Sequence, residues 1–235
     1  MTKTMKMMKS MCPYPDCLAQ LDLEAEEEAI NKRGHWLATC PSCNELATFR
    51  ERDAIEKLEA SFERRKEANI VEGGPELSGV ASMSVVVEDV RSLWNVGSIF
   101  RTADGAGFEA VYLSGISGSP PRKEIEKVSL GAEKTLSWKY VVNPVNIILD
   151  LKAKGVQILG LERNDKSALL TEVIAQKKLK KPLCIIVGNE VSGLSPQVMR
   201  YCDLLCHLPM KGQKESLNVA VAFGIAAYLV SDSFT

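Results

Sequence analysis

The sequence predicts an α/β fold with a mostly parallel sheet, preceded by a small cysteine-bearing module. Three observations predict it. From Met83 onward, short β-branched or apolar runs alternate with helical stretches, the pattern of strands joined by crossover helices. One run, Leu183-Cys184-Ile185-Ile186-Val187, is apolar throughout and bounded by Pro182 and Gly188, as expected of a strand covered on both faces. Four of the seven cysteines lie in two tight pairs before residue 48.

Composition sets the bounds. The chain has 235 residues, 46% hydrophobic and 25% charged, an ordinary globular balance that argues against disorder over the whole length. This length suits one large domain, or one domain with a small appendage. No apolar run approaches the ~20 residues that span a bilayer, which excludes an integral membrane protein. Met1 to Met11 is basic but lacks a continuous apolar stretch, so it does not read as a secretory signal, and a cytoplasmic location is expected. Lys+Arg total 29 and Asp+Glu 30. Global charge therefore favours neither DNA nor RNA, and nucleic-acid contact must come from local patches. His35 and His207 are the only histidines, too few for a His-rich metal centre.

The expected order is a metal module over 1–48, a charged helix and linker over 49–79, and the α/β domain over 80–235. Cys12-Pro13-Tyr14-Pro15-Asp16-Cys17 is a C-x4-C turn and Cys40-Pro41-Ser42-Cys43 a C-x2-C turn. Two such turns bring Cys12, Cys17, Cys40 and Cys43 to tetrahedral positions around one Zn²⁺. Gly34 to Thr39, running into the second turn, suits a hairpin. A segment this short buries too little to fold unaided, so a metal would supply its stability. The alternatives are four unpaired, partly buried cysteines, or a redox C-x2-C pair, which normally opens a helix in a βαβ setting. His35 reads as a surface or packing residue, and Cys184, Cys202 and Cys206 as core.

Next, Ile55, Leu58 and Phe62 fall on one helical face in a charge-dense stretch. Residues 71–79, with Gly73, Gly74, Pro75 and Gly79, read as a linker. Strands are expected at Ser84–Glu88, Ala110–Leu113, Val156–Leu161 and Leu183–Val187. Helices are expected at Val96–Ala106, ended by Gly107, and at Leu217–Val230.

Three blocks carry candidate chemistry. In Asn95-Val96-Gly97-Ser98-Ile99-Phe100-Arg101, Asn95 is expected to cap the helix, and Arg101 to be a solvated charge or to emerge beside Ile99, Phe100 and Ala103 at the edge of a buried face. In Gly188-Asn189-Glu190-Val191-Ser192-Gly193-Leu194-Ser195-Pro196, a buried strand ends in a glycine-bounded loop, and Ser195 and Pro196 open the next helix. Ligands bind beyond the carboxyl ends of strands in open α/β sheets, and Gly188 and Gly193 would permit close backbone approach; a plain turn is the alternative. The third block runs from Leu208 through Met210, Lys211 and Lys214 to Ser216-Leu217-Asn218-Val219-Ala220, entering a helix near Ser216; Asn218, in the first turn of an otherwise apolar helix, needs a hydrogen-bond partner if buried, and simple capping by Ser216 is the alternative.

In order, N-x5-R, G-N-E-x2-G and L-P-M…S-L-N-V-A resemble the SpoU/TrmH-type RNA 2′-O-ribose methyltransferases of the SPOUT superfamily, from about Met83 to the C-terminus. Lys127 to Glu133 is similar to a connecting segment of that group. The resemblance implies a Rossmann-like sheet whose C-terminal segment forms a deep trefoil knot. It implies S-adenosylmethionine bound by Leu161, Gly188, Asn189, Leu208, Met210, Ser216 and Leu217. It also implies a homodimer formed through the knot region, with tRNA or rRNA as substrate. Arg101, Asn95, Glu190 and Asn218 would be the catalytic residues. A guanidinium stays protonated, so Arg101 is expected to clamp a phosphate or the developing alkoxide, while Glu190, water or a phosphate oxygen takes the proton. The cysteine module, whose paired turns are a zinc-ribbon signature, Arg64-Arg65-Lys66, Lys211 and Lys214 are candidates for phosphate contact; Trp36 and Tyr14 would either stack on a base or pack within the ribbon. Two rival functions are a non-catalytic zinc-ribbon adaptor for RNA or protein, and a base-methylating enzyme of the same fold.

Overall fold

The computed structural model describes residues 4–26, 30, 35–68 and 71–235. Gly34 and the first three residues of the N-terminal stretch lie outside the described residues. The N-terminal module is two antiparallel hairpins. β1 (Met5–Met11) pairs with β2 (Gln20–Glu26), and β3 (His35–Thr39) with β4 (Leu46–Arg50). Each cysteine pair forms the turn of one hairpin. Leu18 at φ 47° and Asn44 at φ 60° reverse the chain just after the second cysteine of each pair. The turns close alike: the Cys12 N–H donates to Ala19 O at 2.9 Å and the Cys40 N–H to Glu45 O at 2.8 Å. Trp36 stacks on Phe49 with ring centroids 5.9 Å apart. With Met8 and Tyr14 they make a small core of their own.

α1 (Arg52–Glu67) follows. Ile55, Leu58 and Phe62 are half-buried on its inner face, as their spacing requires. The stretch read as a linker is partly ordered. β5 (Glu72–Gly73) adds an antiparallel edge strand to the main sheet, and the Tyr140 N–H donates to Val71 O at 2.6 Å. The reason is packing: a Cβ at Gly73 would lie 2.8 Å from the Trp138 ring, so glycine lets the chain lie flat on that indole.

The α/β domain runs β6 (Met83–Glu88), α2 (Leu93–Gly105), β7 (Ala110–Ser114), α3 (Lys123–Ser129), α4 (Ala132–Thr135), β8 (Ser137–Val141), α5 (Pro144–Ala153), β9 (Gln157–Leu161), β10 (Ala168–Leu169), α6 (Leu170–Ala175), β11 (Leu183–Val187), α7 (Pro196–Tyr201), β12 (Leu204–His207), α8 (Val219–Asp232). The sheet order is β10-β12-β9-β11-β6-β7-β8-β5. Every pairing in it is parallel except that of β5 with β8. Strand alternation fills two cores. Val85, Val87, Ile185 and Val187 pack with residues of α2 and α8, while Val86, Cys184 and Ile186 pack with residues of α5 and α7. A sheet covered on both faces explains why β6 and β11 are buried at every position.

Both helix starts differ from expectation. α2 begins three residues earlier, because Ser92 is its cap: the Ser92 Oγ accepts from the Asn95 N–H at 3.3 Å. Asn95 therefore lies inside the first turn, with its side chain free for other work. α8 begins later, and its cap is Asn218 rather than Ser216. The Asn218 Oδ1 accepts from the N–H groups of Ala220 and Val221 at 3.0 and 3.3 Å. Ser195 stands at the start of α7 with Pro196 at the first helical position, as expected. Its hydroxyl, however, donates to the buried Glu88 carboxylate instead of capping.

Candidate active site and metal centre

A cavity of about 530 Å³ opens at the carboxyl ends of β9, β11 and β12, where parallel sheets bind ligands. All seven residues expected to hold the cofactor line it: Leu161, Gly188, Asn189, Leu208, Met210, Ser216 and Leu217. Glu190 and Asn218 line it too. Asn95 bridges these two, donating from Nδ2 to Glu190 Oε1 and accepting at Oδ1 from Asn218 Nδ2, both at 3.1 Å. Glu190 also accepts from the N–H groups of Arg91 and Ser92 at 3.1 and 3.0 Å. Burial works against its ionised form, yet the donors, led by the Ser92 N–H, together hold its carboxyl below the usual range. Glu190 is thus a firmly held carboxylate rather than a strong base.

The loop after β11 is built on its glycines. A Cβ at Gly188 would lie 2.3 Å from the Gly193 carbonyl carbon, and Asn189 and Gly193 exchange backbone hydrogen bonds at 3.1 and 3.0 Å. The close approach Gly188 permits is therefore first to its own loop. Gly193, at φ 66°, backs onto Glu162, whose carboxylate accepts from the Leu194 N–H at 2.7 Å. Asn189 orders the turn by accepting at Oδ1 from the Val191 N–H at 2.9 Å.

Arg101 is exposed on α2, outside the cavity, and has no hydrogen bond or ion pair among the described residues. Its flanks Ile99, Phe100 and Ala103 are buried as expected. Three cavity residues escaped sequence reasoning: Glu162 and Arg163, which follow β9, and His207, which ends β12 and whose Nδ1 lies 2.9 Å from Ser167 Oγ. Their signal was positional, since each sits at the carboxyl end of a strand that bounds the cavity.

In the module, the Sγ atoms of Cys12, Cys17, Cys40 and Cys43 all lie within 4.8 Å of one another. Cys12 and Cys43 are 3.8 Å apart, Cys17 and Cys40 3.9 Å. Four thiolates at ~2.3 Å from a tetrahedral Zn²⁺ would have edges of about 3.8 Å, the spacing found for Cys12–Cys43 and Cys17–Cys40. Burial raises the Cys12 thiol. It also acts on Cys40, but the backbone N–H groups of Cys43 and Ser42 and the neighbouring thiols together outweigh it and bring Cys40 down to about 7. Burial pushes Cys184 and Cys202 up to about 12 and Cys206 to about 11, as befits core thiols. Trp36 and Tyr14 are buried to 3% and 1% exposure. They pack rather than stack on a base, and the Tyr14 hydroxyl donates to Leu46 O at 2.8 Å. Arg65 lies 4.2 Å from the Tyr140 ring centroid and donates to Ser119 Oγ at 2.7 Å, so of the basic run only Arg64 and Lys66 are fully exposed.

A parallel α/β sheet with a strand-end cavity framed by the loops after β11 and β12 defines a ligand-binding α/β domain. Residues 82–228 match the model of the SpoU rRNA Methylase family, and the chain belongs to that family. It is 33% identical over 144 residues to tRNA (guanosine(18)-2′-O)-methyltransferase of Aquifex aeolicus, a match covering 61% of this chain and 66% of that protein, just under two thirds of its length. The crystal structure of the A. aeolicus TrmH/SpoU tRNA modifying enzyme aligns with a TM-score of 0.58 at 30% identity, over 75% of this chain and 84% of that one. An AdoMet-bound rRNA methyltransferase from Sinorhizobium meliloti aligns with a TM-score of 0.60 at 26% identity, over 69% of this chain and 59% of that one.

Proposed function

We propose that the chain is an S-adenosylmethionine-dependent methyltransferase acting on a ribose 2′-hydroxyl in tRNA or rRNA. The observation that carries this reading is convergence: residues from two loops far apart in sequence, 188–190 and 208–218, line one strand-end cavity with Leu161. Similarity to tRNA and rRNA methyltransferases, one of them AdoMet-bound, supports the cofactor and the substrate class.

When bound, S-adenosylmethionine supplies the electrophilic methyl group. The chain's own part is positioning, which lines up the attacking oxygen with that methyl. Leu161, Leu208, Met210 and Leu217 give the cavity its apolar walls. The Glu190–Asn95–Asn218 bridge ties the loop after β11 to the starts of α2 and α8. Since the Glu190 oxygens are already engaged, a water or an RNA phosphate oxygen takes the hydroxyl proton, and Arg101 steadies the developing alkoxide or the adjacent phosphate.

The reading includes a homodimer formed through the knot region. Trp94 and Arg101 lie seven residues apart on one face of α2, and Val221, Ile225 and Tyr228 form an exposed stripe at i, i+4 and i+7 on the adjoining α8. An apolar stripe of this kind needs a covering partner. Arg101, emerging beside it, would reach the cavity of the second copy. Framing of one cavity by the 188–194 and 208–218 loops supports the knot. The spacing of Cys12, Cys17, Cys40 and Cys43 supports a structural zinc ion in a module over 1–48 that β4 carries on to Arg50, followed by the helix and linker up to 79 and the methyltransferase domain over 80–235. Arg64, Lys66, Lys211 and Lys214 remain as exposed phosphate contacts.

Calorimetry with S-adenosylmethionine, followed by mapping of ribose methylation in RNA from cells lacking the protein, tests the reading. Cofactor binding and one missing 2′-O-methyl mark are expected. No cofactor binding would favour the adaptor, and a missing base methyl the base-modifying enzyme. Arg101→Lys should lower turnover at least tenfold if the planar guanidinium matters.

A further inference from the structure

Thr48, Glu45 and Pro13 join the module to Gln197, Arg200 and Asn143, and beside the cavity it meets the end of β6 through a mostly buried ion pair. Arg50, the last residue of β4, reaches the carboxylate of Asp89, and the two side chains are 16% and 15% exposed. Asp89 follows β6 in the left-handed region, at φ 54°. Its Oδ1 also accepts from the Ile116 N–H at 2.9 Å. Gly115, itself at φ 60°, makes room for the pair: a Cβ there would lie 1.9 Å from Asp89 Oδ1 and 3.1 Å from Arg50 Nη2. The same short segment then turns to the cavity. The Asp89 carbonyl accepts from Asn189 Nδ2 at 2.7 Å, and the N–H groups of Arg91 and Ser92 hold Glu190. Residues 89–92 are thus anchored by Arg50 on one side and anchor the Asn189-Glu190 wall on the other. Without the guanidinium, the Asp89 carboxylate would lose its counter-charge next to the buried Glu88, and the left-handed backbone one of its restraints.

We infer that Arg50 is a positioning residue for the cavity: through Asp89 it fixes segment 89–92, and with it the loop wall against which the cofactor sits. This rests on the reading that the cavity binds S-adenosylmethionine. It makes the cysteine module part of the cofactor site rather than an RNA-binding appendage alone.

The test is calorimetric affinity for S-adenosylmethionine in the full zinc-loaded chain, with zinc content and thermal unfolding recorded for each variant. Arg50→Ala should weaken binding on the order of tenfold, the scale of a residue that acts through a contiguous network. Asp89→Asn keeps a residue that tolerates the left-handed backbone and an oxygen for Ile116, but loses the ion pair. It should show the same loss, and the double variant no more than either single. Arg50→Lys should restore most of the affinity. A purely structural role would lower the melting temperature and leave affinity unchanged below it. Unchanged affinity in folded Arg50→Ala, or additive losses in the double variant, overturns the inference. Should Arg50→Ala fail to fold, Asp89→Asn decides alone, unchanged affinity overturning the inference. Wild-type protein that binds no S-adenosylmethionine removes the cavity reading and this inference together, an outcome distinct from a wild type that binds and a variant that binds equally well.

Discussion

Glu88 is a carboxylic acid held where its charge is unwelcome, and replacing it with glutamine should make the protein more stable above neutral pH. It ends β6 with 2% of its surface exposed. Burial, reinforced by the neighbouring Asp89, pushes its carboxyl from 4.5 up to about 7, against the hydrogen bonds from Ser195 and the charge of Arg50. The sign follows from linkage. In the unfolded chain the group ionises near 4.5, and in the fold near 7, so the fold prefers the protonated form. Its favourable contribution is complete below pH 4.5 and lost as pH rises towards 7. At 1.36 kcal/mol per pKa unit, that loss is about 3 kcal/mol. Glu88→Gln removes the ionisation. The amide oxygen still accepts from the Ser195 N–H, and the Ser195 hydroxyl turns from donor to acceptor for the amide NH₂. Urea unfolding of both proteins at pH 5 and pH 8 is the assay. The variant should match the wild type within about 1 kcal/mol at pH 5 and exceed it by about 2–3 kcal/mol at pH 8. A difference between the two proteins that does not change with pH refutes this account of Glu88.

Other consequences are as direct. Elemental analysis should find one zinc per chain, and chelation should unfold the two N-terminal hairpins while leaving the α/β domain's far-ultraviolet signal largely intact, because that domain has its own cores. Gly188→Ala should abolish S-adenosylmethionine binding in calorimetry, since its Cβ would overlap the Gly193 backbone. If the proposed dimer forms over α8, Ile225→Lys, at the centre of its exposed stripe, should shift the sedimentation coefficient from dimer to monomer without unfolding the chain.

Much of the fold is written in local pattern. The bounds of β11 follow from five apolar residues between Pro182 and Gly188, because a strand covered on both faces leaves no polar position to blur its ends. The clustering of the cysteine turns was legible for a similar reason: four thiols that meet at one point come from paired, closely spaced turns. The helix starts were less so. Ser92 and Asn95 are both good caps, and so are Ser216 and Asn218. The choice between them is tertiary, since Asn95 is wanted by Glu190 and Asn218 and is not free to cap. The edge strand β5 was hidden because glycine and proline read as slack, while its pairing depends on Trp138, some 65 residues away. Trp36 and Tyr14 show the converse: their side chains suit base stacking, and only the fold puts them inside. The Arg50–Asp89 pair joins residues 39 apart in sequence that belong to different structural units, and no periodicity within either unit announces it.

Arg101 raises a question of assembly that mixing experiments decide. It is exposed and lies off the cavity that every other residue expected to act in catalysis or hold the cofactor lines or bridges. A guanidinium that steadies a developing charge must stand within hydrogen-bond reach of it, so in one chain alone Arg101 is misplaced. If instead it reaches the cavity of the second copy, each site needs an arginine from one protomer and a cavity from the other. Arg101→Ala and Gly188→Ala would each be inactive alone. Reassociated in equal amounts, they form about half heterodimers, and in each heterodimer one of the two sites pairs an intact arginine with an intact cavity. Recovered methyl transfer should then be about a quarter of wild type. If Arg101 serves its own chain's cavity, every site in the mixture lacks one component, and no activity returns.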